Sequence, residues 1–271
     1  MFEELLPTAV AADRYGGRVT LEMFRQGTLE IEEKTENDFV TLADRRSEEA
    51  VIGEIRRRFP VHRIVAEERG SEAGSDDSIE WLVDPLDGTS NFIQGLPIFA
   101  VSVACRQGSE LLAGAILDSS RGDLFTAVRG GGAWWNERPM RISSRVDLRG
   151  AFLATGFPFK AKSALDLYLA IVSEVFAGAR SIRRCGSAAI DLAYTAAGIY
   201  DGFFEFRLTP WDLAAGALLI QEAGGKVTDL DGGVGFLTSG DLLAGAPGVH
   251  AELLAIAGRL GGTARLNRLL G

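Results

Sequence analysis

The stretch Trp81-Leu82-Val83-Asp84-Pro85-Leu86-Asp87-Gly88-Thr89-Ser90-Asn91-Phe92 limits the possible fold more than any other. Trp81 to Val83 is a short apolar run, the mark of a buried strand. Pro85 has no N–H to give to a sheet ladder, so the strand is expected to end abruptly at Asp84-Pro85. Two carboxylates, Asp84 and Asp87, stand in that turn. Gly88, Thr89 and Ser90 follow, small residues whose backbone amides can open a helix. The first amides of a helix are unpaired, and its dipole favours negative charge there. One short segment thus offers hard oxygen ligands to a cation and amide donors to an anion. Mg²⁺ is commonly held by a few carboxylates together with phosphate oxygens. The expectation is a Mg²⁺-dependent site acting on a phosphate ester.

Charge bears on that expectation. The 271 residues carry a formal charge of −9, from 28 Lys and Arg against 37 Asp and Glu. An acidic chain is a poor partner for nucleic acid or an anionic membrane. It also suits a phosphate binder only if metal ions supply positive charge locally. The two cysteines, Cys105 and Cys185, read as reduced, buried, small apolar side chains. His62 and His250 are the only histidines and have no plausible co-ligands nearby in sequence, which argues against a zinc site or a Ser-His-Asp triad. No apolar run approaches the roughly 20 residues of a membrane span. The start of the chain is acidic where a secretory leader would be basic. Cytoplasm is therefore the expected location.

Along the chain, residues 2–27 read as one helix, loosened at Gly16-Gly17. Residues 30–38 are dense in charge and read as a turn or hairpin, followed by a short extended piece leading to Asp44. Residues 47–59 form a second amphipathic helix. A brief strand at 63–66 delivers Glu67 and Glu68, and 69–78 reads as a surface loop. Strands at 99–104, 111–117, 123–128 and 132–135 make an antiparallel meander. From about residue 145 the pattern alternates. Strands are expected at 151–154, 180–184, 201–206, 226–229 and 241–244. Helices are expected at 163–176, 187–197, 211–223 and, last, 250–260. In the first of these, Leu165, Leu169, Val172 and Phe176 share one stripe. The shift suggests two subdomains, 1–145 in an α+β style and 146–271 in an α/β style.

Acidic residues recur at element ends: Asp44, Glu67, Asp84, Asp87 and Asp212. Any one alone reads as a solvated charge. Asp212, just after Pro210-Trp211, also reads as a helix-start charge worth about 0.5 kcal/mol.

Together these residues resemble the inositol monophosphatase family. Residues 81–92 look like its first signature. Trp211-Asp212-Leu213-Ala214-Ala215-Gly216, running on to Glu222-Ala223-Gly224-Gly225, looks like its second. Ala66-Glu67-Glu68 resembles its Gly-Glu-Glu element, with Ala in place of the first residue. Val40-Thr41-Leu42-Ala43-Asp44 resembles its Val-Thr-x-x-Asp element. The four elements come in the family's order.

The resemblance implies a layered αβαβα fold of α/β (α+β) class. It also implies Mg²⁺-dependent, lithium-sensitive hydrolysis of a phosphate monoester, using two or three ions. By position, Glu67, Asp84, the Leu86 carbonyl, Asp87 and Asp212 would be metal ligands, a set suited to a hard cation rather than zinc. The amides of Gly88 and Thr89, with Ser90 beside them, would hold phosphate. Glu67 and Thr89 would orient and deprotonate the attacking water, with Asp44 hydrogen-bonded to Thr89. Lys34 would belong to a mobile catalytic loop. Gly186, Ser187, Ala188 and Glu205, with Asp87 and Asp212, align with the family's substrate contacts. Of the Arg183-Arg184 pair, one arginine would reach substrate, and Arg183 is the one expected to do so.

The expected activity is release of phosphate from a small phosphorylated polyol, inositol 1-phosphate first, by a homodimer. Fructose-1,6-bisphosphatase, histidinol-phosphatase and 3′-phosphoadenosine 5′-phosphate phosphatase stay open. So does a regulatory or scaffold protein built on the same fold.

Overall fold

Helical and sheet layers alternate through the molecule. The computed structural model describes residues 2–26, 30–35, 38–72, 74 and 76–270. The first helical layer is α1 (Leu5–Met23) and α2 (Leu42–Arg58). The antiparallel hairpin of β1 (Ile31–Thr35) and β2 (Asp38–Thr41) joins them.

The first sheet contains β3 (His62–Ala66), β4 (Gly70–Glu72), β5 (Asp76–Asp87), β6 (Ala100–Gln107), β7 (Glu110–Asp118), β8 (Asp123–Val128), β9 (Gly132–Trp135) and β10 (Arg138–Pro139). Their spatial order is β10-β9-β8-β7-β6-β5-β3-β4. From β5 to β10 every neighbour is antiparallel, as the meander pattern predicts, while β3 lies parallel to β5. The short α3 (Thr89–Ile93) connects β5 to β6.

The second sheet contains β11 (Phe152–Thr155), β12 (Ser181–Arg183), β13 (Gly202–Glu205), β14 (Lys226–Thr228) and β15 (Leu242–Gly245), in the order β12-β11-β13-β15-β14. β11 runs parallel to β12 and β13, and β15 antiparallel to β13 and β14. Between the sheets lie α5 (Ala188–Ala196) and α6 (Pro210–Glu222). On the far side lie α4 (Leu165–Gly178) and α8 (Pro247–Arg259). The short α7 (Phe236–Ser239) and the terminal α9 (Gly262–Leu270) complete the chain.

The central helix layer explains its own composition. A helix apolar on all sides belongs in a core, and residues 213–220 of α6 are buried without exception. Small side chains let it sit close on both flanks. A Cβ at Gly216 would fall 2.4 Å from Leu192 Cβ of α5, and one at Gly114 of β7 would fall 3.0 Å from Ala215 Cα.

Several expectations need correction. α1 is unbroken through Gly16-Gly17. These glycines serve close packing: a Cβ at Gly16 would lie 2.7 Å from Ser47 Oγ and Val51 Cγ2, and one at Gly17 would lie 2.4 Å from Leu117 Cδ2. β5 does not stop at Asp84 but runs to Asp87. The stretch expected as a loop at 69–78 contains β4 and the start of β5. On α4 the buried stripe is Leu167, Tyr168, Ile171 and Val175. Of the stripe read from sequence, Leu165, Leu169 and Phe176 face outward, 42%, 45% and 67% exposed, while Val172 packs partly buried against the core. α8 is not the last helix, because the chain turns at Gly261 and α9 buries Leu266. No helix among the described residues is long and apolar enough to cross a membrane.

Candidate active site

The end of β5 is bent. Its ladder with β6 pairs Asp84 with Ser102 and Asp87 with Ala100, and the register shifts in between. Pro85 therefore sits in a bulge, where no ladder bond is required of it. The Pro85 carbonyl instead accepts from Ser47 Oγ at 2.7 Å. Asp84 Oδ1 accepts the Leu86 N–H at 2.9 Å. Gly88 then takes φ +96°, a left-handed value that favours glycine. A Cβ there would lie 2.9 Å from the Ile98 carbonyl and 3.3 Å from the Gly186 carbonyl. α3 starts at once, but five residues give it only a small dipole. What this turn offers an anion is its amides.

The acids come from different elements. Glu67 follows β3, and its N–H donates to the Val83 carbonyl at 3.1 Å, fixing it beside β5. Asp212 opens α6 after Thr209 and Pro210, where its Oδ2 accepts the Thr209 N–H at 2.8 Å. Ser102 Oγ donates to the Trp211 carbonyl at 3.3 Å, which ties that helix start to β6 opposite Asp84. Asp87 reaches the N-terminus of α5, accepting from Ser187 Oγ and from the Ala189 N–H at 2.7 Å.

Glu67, Asp84, Leu86, Asp87, Gly88, Thr89 and Asp212 line one cavity of about 170 Å³. Gly186, Ser187, Ala188 and Glu205 line it too. Asp44 is buried behind this wall in the first turn of α2. Its Oδ2 accepts from the Thr41 N–H at 2.8 Å and from Thr41 Oγ1 at 2.6 Å. Its Oδ1 accepts from Thr89 Oγ1 at 3.0 Å, the contact that the family resemblance implies. Thr89 Oγ1 is also 3.0 Å from the Leu86 carbonyl, and one hydroxyl proton serves one acceptor at a time.

Two expected residues lie elsewhere. Ser90 is exposed and does not line the cavity. Arg183 points away: its guanidinium lies over the Phe152 ring, 4.8 Å from the centroid, and donates to Ser181 Oγ and the Ile182 carbonyl. Arg184 is the arginine on the cavity wall. Arg183 is the last residue of β12 and Arg184 the first beyond it, and the two side chains leave the chain on different sides. Lys34 lies on β1, and its side chain is outside the described residues. The lining also includes Thr155, Gly156, Asp191 and Leu208, which sequence reasoning missed. Asp191 sits in the first turn of an Ala-rich helix, where an acid reads as an ordinary dipole partner.

The cavity is strongly acidic. Among the described residues, Glu67, Asp84, Asp87, Asp191, Glu205 and Asp212 face it against one guanidinium, that of Arg184. Burial, then the charges of Glu67, Asp87 and Asp212, push Asp84 well above the usual carboxylate range. Burial and Asp212 raise Asp87 to about 7, against the lowering effect of its bonds to Ser187 and Ala189. Glu205 is raised well above normal by burial and then by Asp212, Asp191 and Asp87. Burial raises Asp44 to about 6. Carboxylates crowded this way need a cation or protons.

Their donor set fits a hard divalent ion: oxygen only, with no histidine or thiolate among the four acids of the expected ligand set. Among the described residues, no group of three or more His, Cys, Asp or Glu side chains is set to hold a metal by itself. Mg²⁺ does not ask for that. It usually takes one or two carboxylates from the protein, and water and phosphate oxygens fill the rest.

A profile of the inositol monophosphatase family matches residues 1–259. The chain belongs to the inositol monophosphatase family. Among its relatives, Nus factor SuhB of Salmonella typhimurium is 46% identical over 252 residues, covering 93% of this chain and 94% of that protein. Among solved structures, the extragenic suppressor protein suhB from Bartonella henselae superposes with a TM-score of 0.89 at 38% identity, over 93% of this chain and 97% of the other. An inositol monophosphatase from Anabaena (Nostoc) gives 0.85 at 33% identity, over 97% and 98%. The five-layer arrangement is thus the inositol monophosphatase fold.

Proposed function

We propose that this protein is a Mg²⁺-dependent phosphatase that hydrolyses a small phosphate monoester, with inositol 1-phosphate as the leading substrate. One observation carries the reading. Glu67, Asp84, Asp87 and Asp212 come from three separate regions of the chain and face one cavity beside Gly88 and Thr89. Glu67, Asp84, the Leu86 carbonyl, Asp87 and Asp212 would hold two or three Mg²⁺ ions. When bound, Mg²⁺ supplies Lewis-acid polarisation of phosphoryl oxygens and neutralises developing charge. The chain's own groups do the rest. The Gly88 and Thr89 amides hold the phosphate. The Thr89 hydroxyl donates to Asp44, so its oxygen can accept a hydrogen bond from the attacking water. As the water gives its proton to Thr89, the Thr89 proton passes to Asp44. Glu67, which lines the same cavity, orients that water. Gly186, Ser187, Ala188, Glu205 and Arg184 surround the leaving alcohol.

A phosphate-release panel tests this. Inositol 1-phosphate, fructose 1,6-bisphosphate, histidinol phosphate and 3′-phosphoadenosine 5′-phosphate are assayed with Mg²⁺. Inositol 1-phosphate is expected to lead. A tenfold preference for another ester would reassign the substrate, and no release from any would end the phosphatase reading.

A second reading has one observation behind it: relatives 46% identical carry the name Nus factor, which names no reaction. On that reading the fold is a platform for another macromolecule. It would be favoured by an inactive panel together with a partner retained by the purified protein.

We also read the chain as a cytoplasmic homodimer with two subdomains, 1–145 and 146–271. The switch from the first sheet to the second, between β10 and β11, supports the division. The exposed apolar stripe on α4 supports the dimer.

A further inference from the structure

Beyond the groups assigned to metal and phosphate, the cavity wall includes Thr155, Arg184, Asp191 and Glu205. Thr155 is already satisfied, donating to the Phe204 carbonyl at 2.6 Å and meeting Tyr168 Oη at 2.8 Å. Arg184 lies over the Phe159 ring, 5.1 Å from the centroid. Asp191 is different. It is 2% exposed, it lies on the wall, and its Oδ1 has no hydrogen-bond partner.

A helix-dipole role does not account for it. Ser187 already caps α5, accepting the Ile190 N–H at 3.3 Å, and a dipole partner gains nothing from an oxygen buried without a hydrogen bond. Packing does not account for it either, because an apolar residue would fill the same space without stranding a polar oxygen. Behind Asp191 the Cys185 thiol is 3.3 Å from Tyr200 Oη, and this pair backs the carboxylate. The side chain is therefore held in place with unused hydrogen-bonding capacity at the edge of the cavity.

We propose that Asp191 is a specificity-determining residue, which takes a hydroxyl of the leaving alcohol and turns away substrates that would put a second phosphate there. The proposal rests on the phosphatase reading of the site. A hydroxyl both donates and accepts, so it satisfies a carboxyl group in either protonation state. A phosphate offers mainly acceptors and negative charge. When ionised, Asp191 and Glu205 repel it together, and among the described lining residues Arg184 is the cation that opposes them. The favoured alcohol is neutral and rich in hydroxyls.

The test uses the full chain with Mg²⁺ and two esters, myo-inositol 1-phosphate and p-nitrophenyl phosphate, whose leaving group has no free hydroxyl. The readout is the ratio of their kcat/KM values in wild type, Asp191→Ala and Asp191→Asn. In Asp191→Ala the ratio is expected to fall at least tenfold, through KM for the inositol ester. In Asp191→Asn, which keeps the shape and loses the charge, fructose 1,6-bisphosphate is expected to become a stronger competitive inhibitor. A ratio within twofold of wild type in Asp191→Ala overturns the proposal. If that variant does not fold, unchanged inhibition in Asp191→Asn overturns it. Wild type hydrolysing neither ester would defeat the reading of inositol 1-phosphate as substrate instead. Calorimetric titration with myo-inositol 1-phosphate and Mg²⁺ then decides the role of Asp191: tenfold weaker binding in the variant supports it, and equal or absent binding refutes it.

Discussion

Thr89 shows how one side chain is set up by its neighbours. Its hydroxyl has two acceptors at 3.0 Å, Asp44 Oδ1 and the Leu86 carbonyl. Asp44 is itself locked by Thr41 through two bonds and by burial, so it cannot turn away. Thr89→Ala is expected to lower kcat by about 10²-fold with the fold retained, because proton-transfer help from a positioned group is worth that much. Unchanged turnover on the ester that the panel selects would exclude the role. Asp13 presents the opposite case, a buried acid with no use in the site. It is fully buried in α1, and neither carboxylate oxygen has a partner. Burial holds its pKa well above the ordinary 3.8. The native protein therefore keeps a proton which the unfolded chain releases above pH 3.8. Stability from this group is whole below that pH and is lost as pH rises toward the folded-state pKa, at about 1.4 kcal/mol for each pH unit. Asp13→Asn removes the slope. Urea unfolding at pH 5 and pH 8 is expected to show a larger gain for the variant at pH 8, and an equal gain at both would show that Asp13 is satisfied by something else.

At the scale of elements, legibility followed the strength of periodicity. The meander β6–β9 was readable because each strand is short, apolar and bounded by turn residues. α1 was legible as a helix, but Gly16 and Gly17 read as a weak point. Only the contacts with Ser47, Val51 and Leu117 reveal them as a packing surface, and those partners lie far along the chain. The bulge in β5 escaped for a related reason. Pro85 forbids a ladder bond but says nothing about whether the strand resumes beyond it. On α4 the periodicity was right and the face was wrong. The helix carries two apolar stripes, and sequence does not say which one meets the core. The outward stripe of Leu165, Leu169 and Phe176 therefore needs its own explanation, and a second copy of the chain is the one we favour. Sedimentation at micromolar concentration is expected to give a dimer for wild type and a monomer for a Leu169→Glu, Phe176→Glu double variant, with similar circular dichroism. A wild-type monomer, or a variant that stays dimeric, would remove α4 from the interface.

The whole molecule shows why the site was partly legible and partly hidden. The four acids proposed as ligands could be named from sequence because each sits in a motif that resembles one of the family's signatures. Asp191 could not, since its role depends on a cavity that only the assembled layers create. Asp212 reaches β5 because α6 lies between the sheets and Ser102 holds its first turn. Gly88 and Gly186 bring two distant segments into backbone contact at the same place. Folding thus forces like charges together, a cost that metal binding should offset. A ligand that binds only the native state stabilises it by RT ln(1 + [L]/Kd), about 2.7 kcal/mol at a hundredfold excess over Kd. Mg²⁺ is therefore expected to raise the melting temperature of the wild type relative to EDTA. Asp212→Asn keeps an oxygen for the Thr209 N–H and removes one charge from the cluster. The variant is expected to melt higher than wild type in EDTA and to gain less from Mg²⁺. If Mg²⁺ leaves the wild-type melting temperature unmoved, or stabilises the variant equally, these carboxylates do not form the metal site. The first result would point to a fold that keeps its acids for some other end, and the second to a cation held elsewhere on the chain.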